Sequence, residues 1–136
     1  MVNEAVIISL LGNQGDPIEA TILDNTAIAK GTVMELTDDL IVKKVSGAGV
    51  AMLGVSAVEK KADDGVTKLA VITNAVVLLH TLASSGNAVL GEYLRSAGTN
   101  NHLDQATTLD RETGKAIFKA LETVAADADV ICLLRT

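Results

Sequence analysis

The sequence predicts a small, mainly β domain of the barrel type with at most one or two short helices. Three observations carry that expectation. Short apolar runs follow one another closely from residue 19 onward, turn-forming residues stand between them, and the runs are rich in Val and Ile. Branched side chains pack well on a pleated surface, and closely spaced short strands divided by turns mark sandwiches and barrels. With 136 residues, 49% of them hydrophobic and 21% charged, the chain is long enough for one core and is globular in composition.

The first apolar segment, residues 5–11, carries Val6-Ile7-Ile8 and is followed by Gly12-Asn13-Gln14-Gly15-Asp16-Pro17. Two glycines, an Asn and an Asp-Pro step make that hexapeptide a loop. Residues 1–17 are therefore expected to form an N-terminal arm and loop, and residues 18–136 a single β-rich domain. Candidate strands follow at 19–23, 32–36, 40–45, 50–58, 66–73 and 75–82. Asp64-Gly65 is the strongest hairpin signal, because a type I′ turn needs positive φ and this pair accepts it cheaply. It should join 50–58 to 66–73, and Thr37-Asp38-Asp39 should likewise join 32–36 to 40–45. Further on, Thr108 is the candidate cap of a helical turn. Residues 115–124 read two ways. Ile117, Leu121 and Val124 recur at helical spacing, whereas in a strand Ala116, Phe118 and Ala120 share one face; the local pattern favours the helix. Residues 130–134 close the chain as a strand, and no internal repeat is legible.

Composition excludes several classes of partner. The net charge of −6 repels phosphate, and Tyr93 and Phe118 are the only aromatics, so nucleic acid is not an expected partner. No apolar run approaches the roughly 20 residues that span a bilayer, and the N-terminal stretch lacks the basic start of a secretory signal. The protein is expected to be soluble and intracellular when made. The one cysteine, Cys132, lies in an apolar run and reads as a small buried hydrophobe.

Candidate chemistry is sparse. His80 ends an apolar run and reads as a core or edge histidine with a local hydrogen bond; His102 follows Gly98-Thr99-Asn100-Asn101 and is expected in an exposed turn. No Cys pair or His-x-x-x-His provides zinc spacing. Asp38-Asp39, Asp63-Asp64, Asp127 and Asp129 fall at turns, where Asp bonds nearby backbone amides. Ser46-Gly47-Ala48-Gly49 lacks the spacing of a dinucleotide or Walker loop, no G-x-S-x-G surrounds a serine, and Cys132 has no neighbouring base. No catalytic residue, cofactor or metal is expected, and the chain reads as a non-enzyme. Two other readings stay open. One is a β-barrel carrier or enzyme-associated domain of biotinyl or lipoyl type, with Lys60-Lys61-Ala62 as the nearest candidate for the modified lysine. The other is a small enzyme whose site forms only between subunits.

Several segments resemble the head-decoration, or capsid cement, proteins of tailed phages with a β-tulip-like domain. The residues that carry the resemblance are Gly15-Asp16-Pro17, Ala27-Ile28-Ala29-Lys30-Gly31-Thr32 with the strand after it, Gly54-Val55-Ser56-Ala57, Asp64-Gly65-Val66-Thr67, the apolar stretch 71–79, residues 114–122 and the final strand. Asn74-Ala75 and the insertion 98–110 depart from the pattern. The resemblance implies a strand at 115–124. It also implies a structural virion protein on the capsid exterior, assembled in the host cytoplasm, usually a homotrimer, whose partner is the major capsid protein. Under that reading Val2, Glu4, Val6, Ile7, Ile8 and Leu10 are the candidate partner-binding residues, since an isolated strand finds its pairing elsewhere. Val76, Val77, Leu78 and Leu79 are the candidate subunit interface, because that run is apolar on both strand faces.

Overall fold

A computed structural model describes residues 4–10, 17–81, 87–98 and 101–135. The protein is mainly β. In chain order the strands are β1 (Val6–Leu10), β2 (Ile18–Ile22), β3 (Val33–Asp38), β4 (Ile41–Lys44), β5 (Met52–Ser56), β6 (Lys68–Ile72), β7 (Asn74–Thr81), β8 (Tyr93–Ser96), β9 (His102–Gln105), β10 (Ala116–Ala120) and β11 (Asp129–Arg135), with one short helix, α1 (Thr108–Glu112), before β10. They close two five-stranded barrels. The first runs β2-β4-β3-β5-β6 and back to β2; the second runs β7-β11-β10-β8-β9 and closes through a parallel β7–β9 pairing. Strand β1 lies outside the second barrel, antiparallel to the first half of β7, with Val6 opposite Leu78 and Leu10 opposite Ala75.

Period-two alternation explains which side of each strand faces inward. Ala20 and Ile22 of β2 and Leu69 and Val71 of β6 fill the first barrel together with Ile28, Met34 and Val42. On β7, Ala75, Val77 and Leu79 point into the second barrel, as do Val130, Cys132 and Leu134 of β11. Residues 115–124 resolve in favour of the strand: Ala116, Phe118 and Ala120 are fully buried, and β10 pairs with β8 on one side and β11 on the other. Both hairpin pairings form, β3 with β4 and β5 with β6. The connection carrying Asp64-Gly65 is wider than a two-residue turn, with positive φ at Asp63 and Gly65. The helical turn is capped one residue earlier than expected, by Thr107, whose hydroxyl accepts the Asp110 N–H while the Asp110 carboxylate accepts the Thr107 N–H. Strands β8 and β9 are absent from the sequence reading.

The two barrels are a repeat. Strand for strand, β2-β4-β3-β5-β6 corresponds to β7-β9-β8-β10-β11, and the loop hydrogen bonds correspond as well. Ile28 and Lys60 exchange both backbone bonds at 2.8 Å, as Ala88 and Val124 do at 2.9 Å. Gly31 N–H donates to Ser56 O and Gly91 N–H to Ala120 O. Each glycine has positive φ, +85° and +86°, at the third position of a type II turn closed by a bond from Thr32 N to Ala29 O or from Glu92 N to Val89 O.

The barrels are joined by more than the chain between them. Val33, Met52 and Val55 of the first barrel belong to the buried cluster of the second. Ala48 bridges Ala97, and Gly49 N–H donates to Ser96 O at 3.1 Å. A Cβ on Gly98 would lie 2.7 Å from the Ala48 nitrogen, so this approach requires glycine. The segment Ser46-Gly47-Ala48-Gly49 is thus a seam between barrels.

Candidate functional site

Two ionic clusters form, one in each barrel. In the second barrel, His80 near the end of β7 pairs across the sheet with Asp129 on β11 and with His102 on β9. The ring is buried, with Nδ1 2.7 Å from Asp129 Oδ1 and Nε2 2.8 Å from Asp127 Oδ1. Both bonds coexist only in the doubly protonated ring, because a neutral imidazole has one N–H. Burial acts to lower the His80 pKa, but the hydrogen bonds and charges of Asp127 and Asp129 outweigh it and hold the pKa above 6.5. The His102 ring lies 5.0 Å away, and its two nitrogens are buried without a hydrogen-bond partner among the described residues. Burial, and then repulsion by His80, push its pKa down. His102 opens β9 and is not the exposed turn residue its neighbours suggest. Asp127 and Asp129 are more than solvated turn acids: they clamp an imidazolium.

In the first barrel the buried charge is Lys60. Its ammonium meets Asp24 O at 2.8 Å, Asp24 Oδ1 at 3.0 Å, Lys61 O at 2.9 Å and Asp64 Oδ1 at 2.9 Å. Burial alone lowers a lysine pKa, and here Asp64 and Asp24 more than offset it, so the pKa is raised. Asp64 in turn is held down to about 2 by Lys60 and by the Val66 N–H. So enclosed, Lys60 is not presented for attachment of a prosthetic group; Lys61 is exposed. The buried thiol of Cys132 is pushed up to about 12, first by burial and then by Glu122, which makes it a packing residue.

Among the described residues no group of three or more His, Cys, Asp or Glu side chains is placed to hold a metal ion, and no helix is long and apolar enough to cross a membrane. The remaining candidate is an apolar surface. Val6 on β1, Leu78 on β7 and Ile131 on β11 are consecutive cross-strand neighbours, and Val76 pairs with Leu133 beside them. These five aliphatic side chains point away from the barrel interior and are exposed or half-buried. Ile8 at the β1 bulge is also exposed, and Glu4 precedes the strand on the surface.

The interface expectation therefore divides. Val76 and Leu78 lie on the outer face, whereas Val77 and Leu79 are core residues of the second barrel, because alternation turns them inward. The β1 residues divide similarly: Val6 and Ile8 face outward, and Ile7 packs against the core. The arm expectation also changes, since Val6–Leu10 pairs with β7 within the fold; among the described residues β7 is its only neighbour. Val2, the side chain of Leu10 and the loop residues 11–16 lie outside the described residues. Sequence reasoning missed Ile131 and Leu133, and their alternation with buried Val130, Cys132 and Leu134 was the available signal.

Fold and site together define a tandem β-barrel protein with an apolar outer sheet face. No protein-family model matches the chain, and no curated protein matches it in sequence.

Proposed function

We propose that this protein is a structural virion protein that binds the outer surface of a phage head and stabilises contacts between major capsid subunits. The observation that carries the reading is the aliphatic face built by Val6, Leu78, Ile131, Val76 and Leu133 across β1, β7 and β11. A contiguous apolar patch on a protein surface supports a contact with a partner. The second support is β1 at the end of its sheet, whose outer main-chain edge suits strand addition by a partner, with side chains setting register. The resemblance in Ala27-Ile28-Ala29-Lys30-Gly31-Thr32 and Asp64-Gly65-Val66-Thr67 adds the identity of that partner, the major capsid protein, and a trimeric arrangement on the virion exterior.

The test is co-sedimentation of the purified protein with expanded, undecorated heads of the phage that encodes it. Saturable binding is expected, and Val6→Lys with Ile8→Lys should weaken it at least about tenfold, equivalent to about 1.4 kcal/mol. Absence of binding by the folded wild type removes the proposal.

A further inference from the structure

The second barrel is closed by a short seam that carries both imidazoles. Strand β7 pairs with β11 along residues 74–80, but among the described residues it meets β9 only at His80↔His102 and Thr81↔Leu103. The first barrel closes in the same way, at Thr21↔Ile41 and Ile22↔Val42, where no ring stands. The pair of histidines therefore belongs to the second closure alone.

Hydrogen bonds fix the protons at this seam. His80 donates from both nitrogens, to Asp127 and Asp129, and so already carries a charge. His102, whose ring nitrogens are buried and unpartnered among the described residues, has no acceptor for a second N–H. The other charges nearby are engaged or lie to one side. Asp127 is held by His80, and Arg95 on β8 is paired with Asp104 and Asp110. Glu4, Lys44, Glu59 and Lys60 line a cavity beside Asn101, the residue before His102. A proton added to His102 thus sets a second positive charge 5.0 Å from the first, ring centre to ring centre, where its N–H groups do not reach water.

Asn101 carries this seam across to the first barrel. It stands in the left-handed region (φ 62°), accepts the N–H of buried Val33 on Oδ1 at 2.6 Å, and donates from Nδ2 to Gly31 O at 3.1 Å. Because Asn101 and His102 share a peptide bond, a shift of one moves the other. We propose that protonation of His102 parts the start of β9 from β7 and thereby withdraws Asn101 from the first barrel, so that acid loosens one of the contacts between the barrels. The Ala48–Ala97 bridge and the shared core remain. Burial, and then His80, depress the His102 pKa in the closed seam, whereas the opened ring returns to 6.5; opening therefore grows as the pH falls below that value. The device is independent of the capsid reading.

Native-state hydrogen exchange on the full chain, read by NMR from neutral pH down to about 5, above the carboxylate range, tests it. The Val33 amide reports the Asn101 contact, and the Leu121 amide, bonded to Ile131 O at 2.9 Å between β10 and β11, reports the rest of the second barrel. After division by the intrinsic exchange rate, the Val33 opening constant should rise by up to about tenfold per pH unit below 6.5. It should also exceed that of Leu121 at least about tenfold, because the seam opens without the barrel unfolding. In His102→Gln, which has no proton to gain, the rise at Val33 should vanish, and continued protection of Leu121 shows that the variant is folded. A Val33 opening constant that ignores pH, one that merely equals that of Leu121, or a rise that persists in folded His102→Gln overturns the proposal. The comparison of Val33 with Leu121 in the wild type decides the matter even where the variant does not fold. Head binding plays no part in this readout, so failure of the capsid reading leaves it intact, and the reverse holds.

Discussion

Raising the pH through the titration of His80 removes one of the two hydrogen bonds that tie β7 to Asp127 and Asp129. The nitrogen that loses its proton then faces an anionic oxygen. A hydrogen bond to a charged group contributes about 1.5–3 kcal/mol; Asp127 and Asp129 are 57% and 46% exposed, so water screens them and about 1–2 kcal/mol is the expected loss. The folded-state pKa is raised above 6.5, so the stabilisation is full below 6.5 and disappears as the pH climbs through the folded value. A single proton limits the slope to about 1.4 kcal/mol per pH unit. For a domain of this size the loss corresponds to a Tm lower by about 3–8 °C. His102 acts with the opposite sign. Its folded pKa is depressed, so stability falls as the pH drops below 6.5 toward that lower value. The two limbs place the optimum near 6.5, the value both rings share when unfolded. Thermal unfolding followed by circular dichroism across the neutral range measures this in the wild type, His80→Gln and His102→Gln. His80→Gln should flatten the alkaline limb and His102→Gln the acid limb. An alkaline limb that persists unchanged in folded His80→Gln refutes the clamp.

Further outcomes follow from packing and charge. Phe118→Ala empties the centre of the second barrel and should cost about 3–5 kcal/mol in urea unfolding. Because Val33, Met52 and Val55 share that cluster, both barrels should still melt in one transition. Gly91→Ala should cost only the strain of positive φ, about 1–2 kcal/mol. Gly31→Ala should cost about 1–3 kcal/mol more, since its Cβ collides with the Ala5 carbonyl; equal costs would show that Ala5 does not pack there. Lys60→Met should lower the Tm by several degrees and Lys61→Met hardly at all, because only Lys60 neutralises two carboxylates. The stability that Asp64 contributes is full above 3.8 and lost toward about 2. In Lys60→Met that acid step should shrink.

The sequence by itself determined the mainly β character, because alternation and turn residues act over short distances. Val71 and Leu69 face inward by the same period-two rule that places Val77 and Leu79. It also determined the two hairpin pairings, which join neighbours in the chain. Residues 115–124 show where local pattern stops. Ile117, Leu121 and Val124 fit a helix, yet β8 and β11 offer backbone partners on both sides, and those long-range bonds selected the strand. Only the tertiary structure decided that β1 pairs with β7, and that His80 meets aspartates 47 and 49 residues away. The repeat was hidden for a related reason. Its surviving signature is a set of backbone hydrogen bonds, and main-chain N–H and C=O groups are the same whatever side chain they carry, so Lys60 and Val124 hold equivalent places without resembling each other.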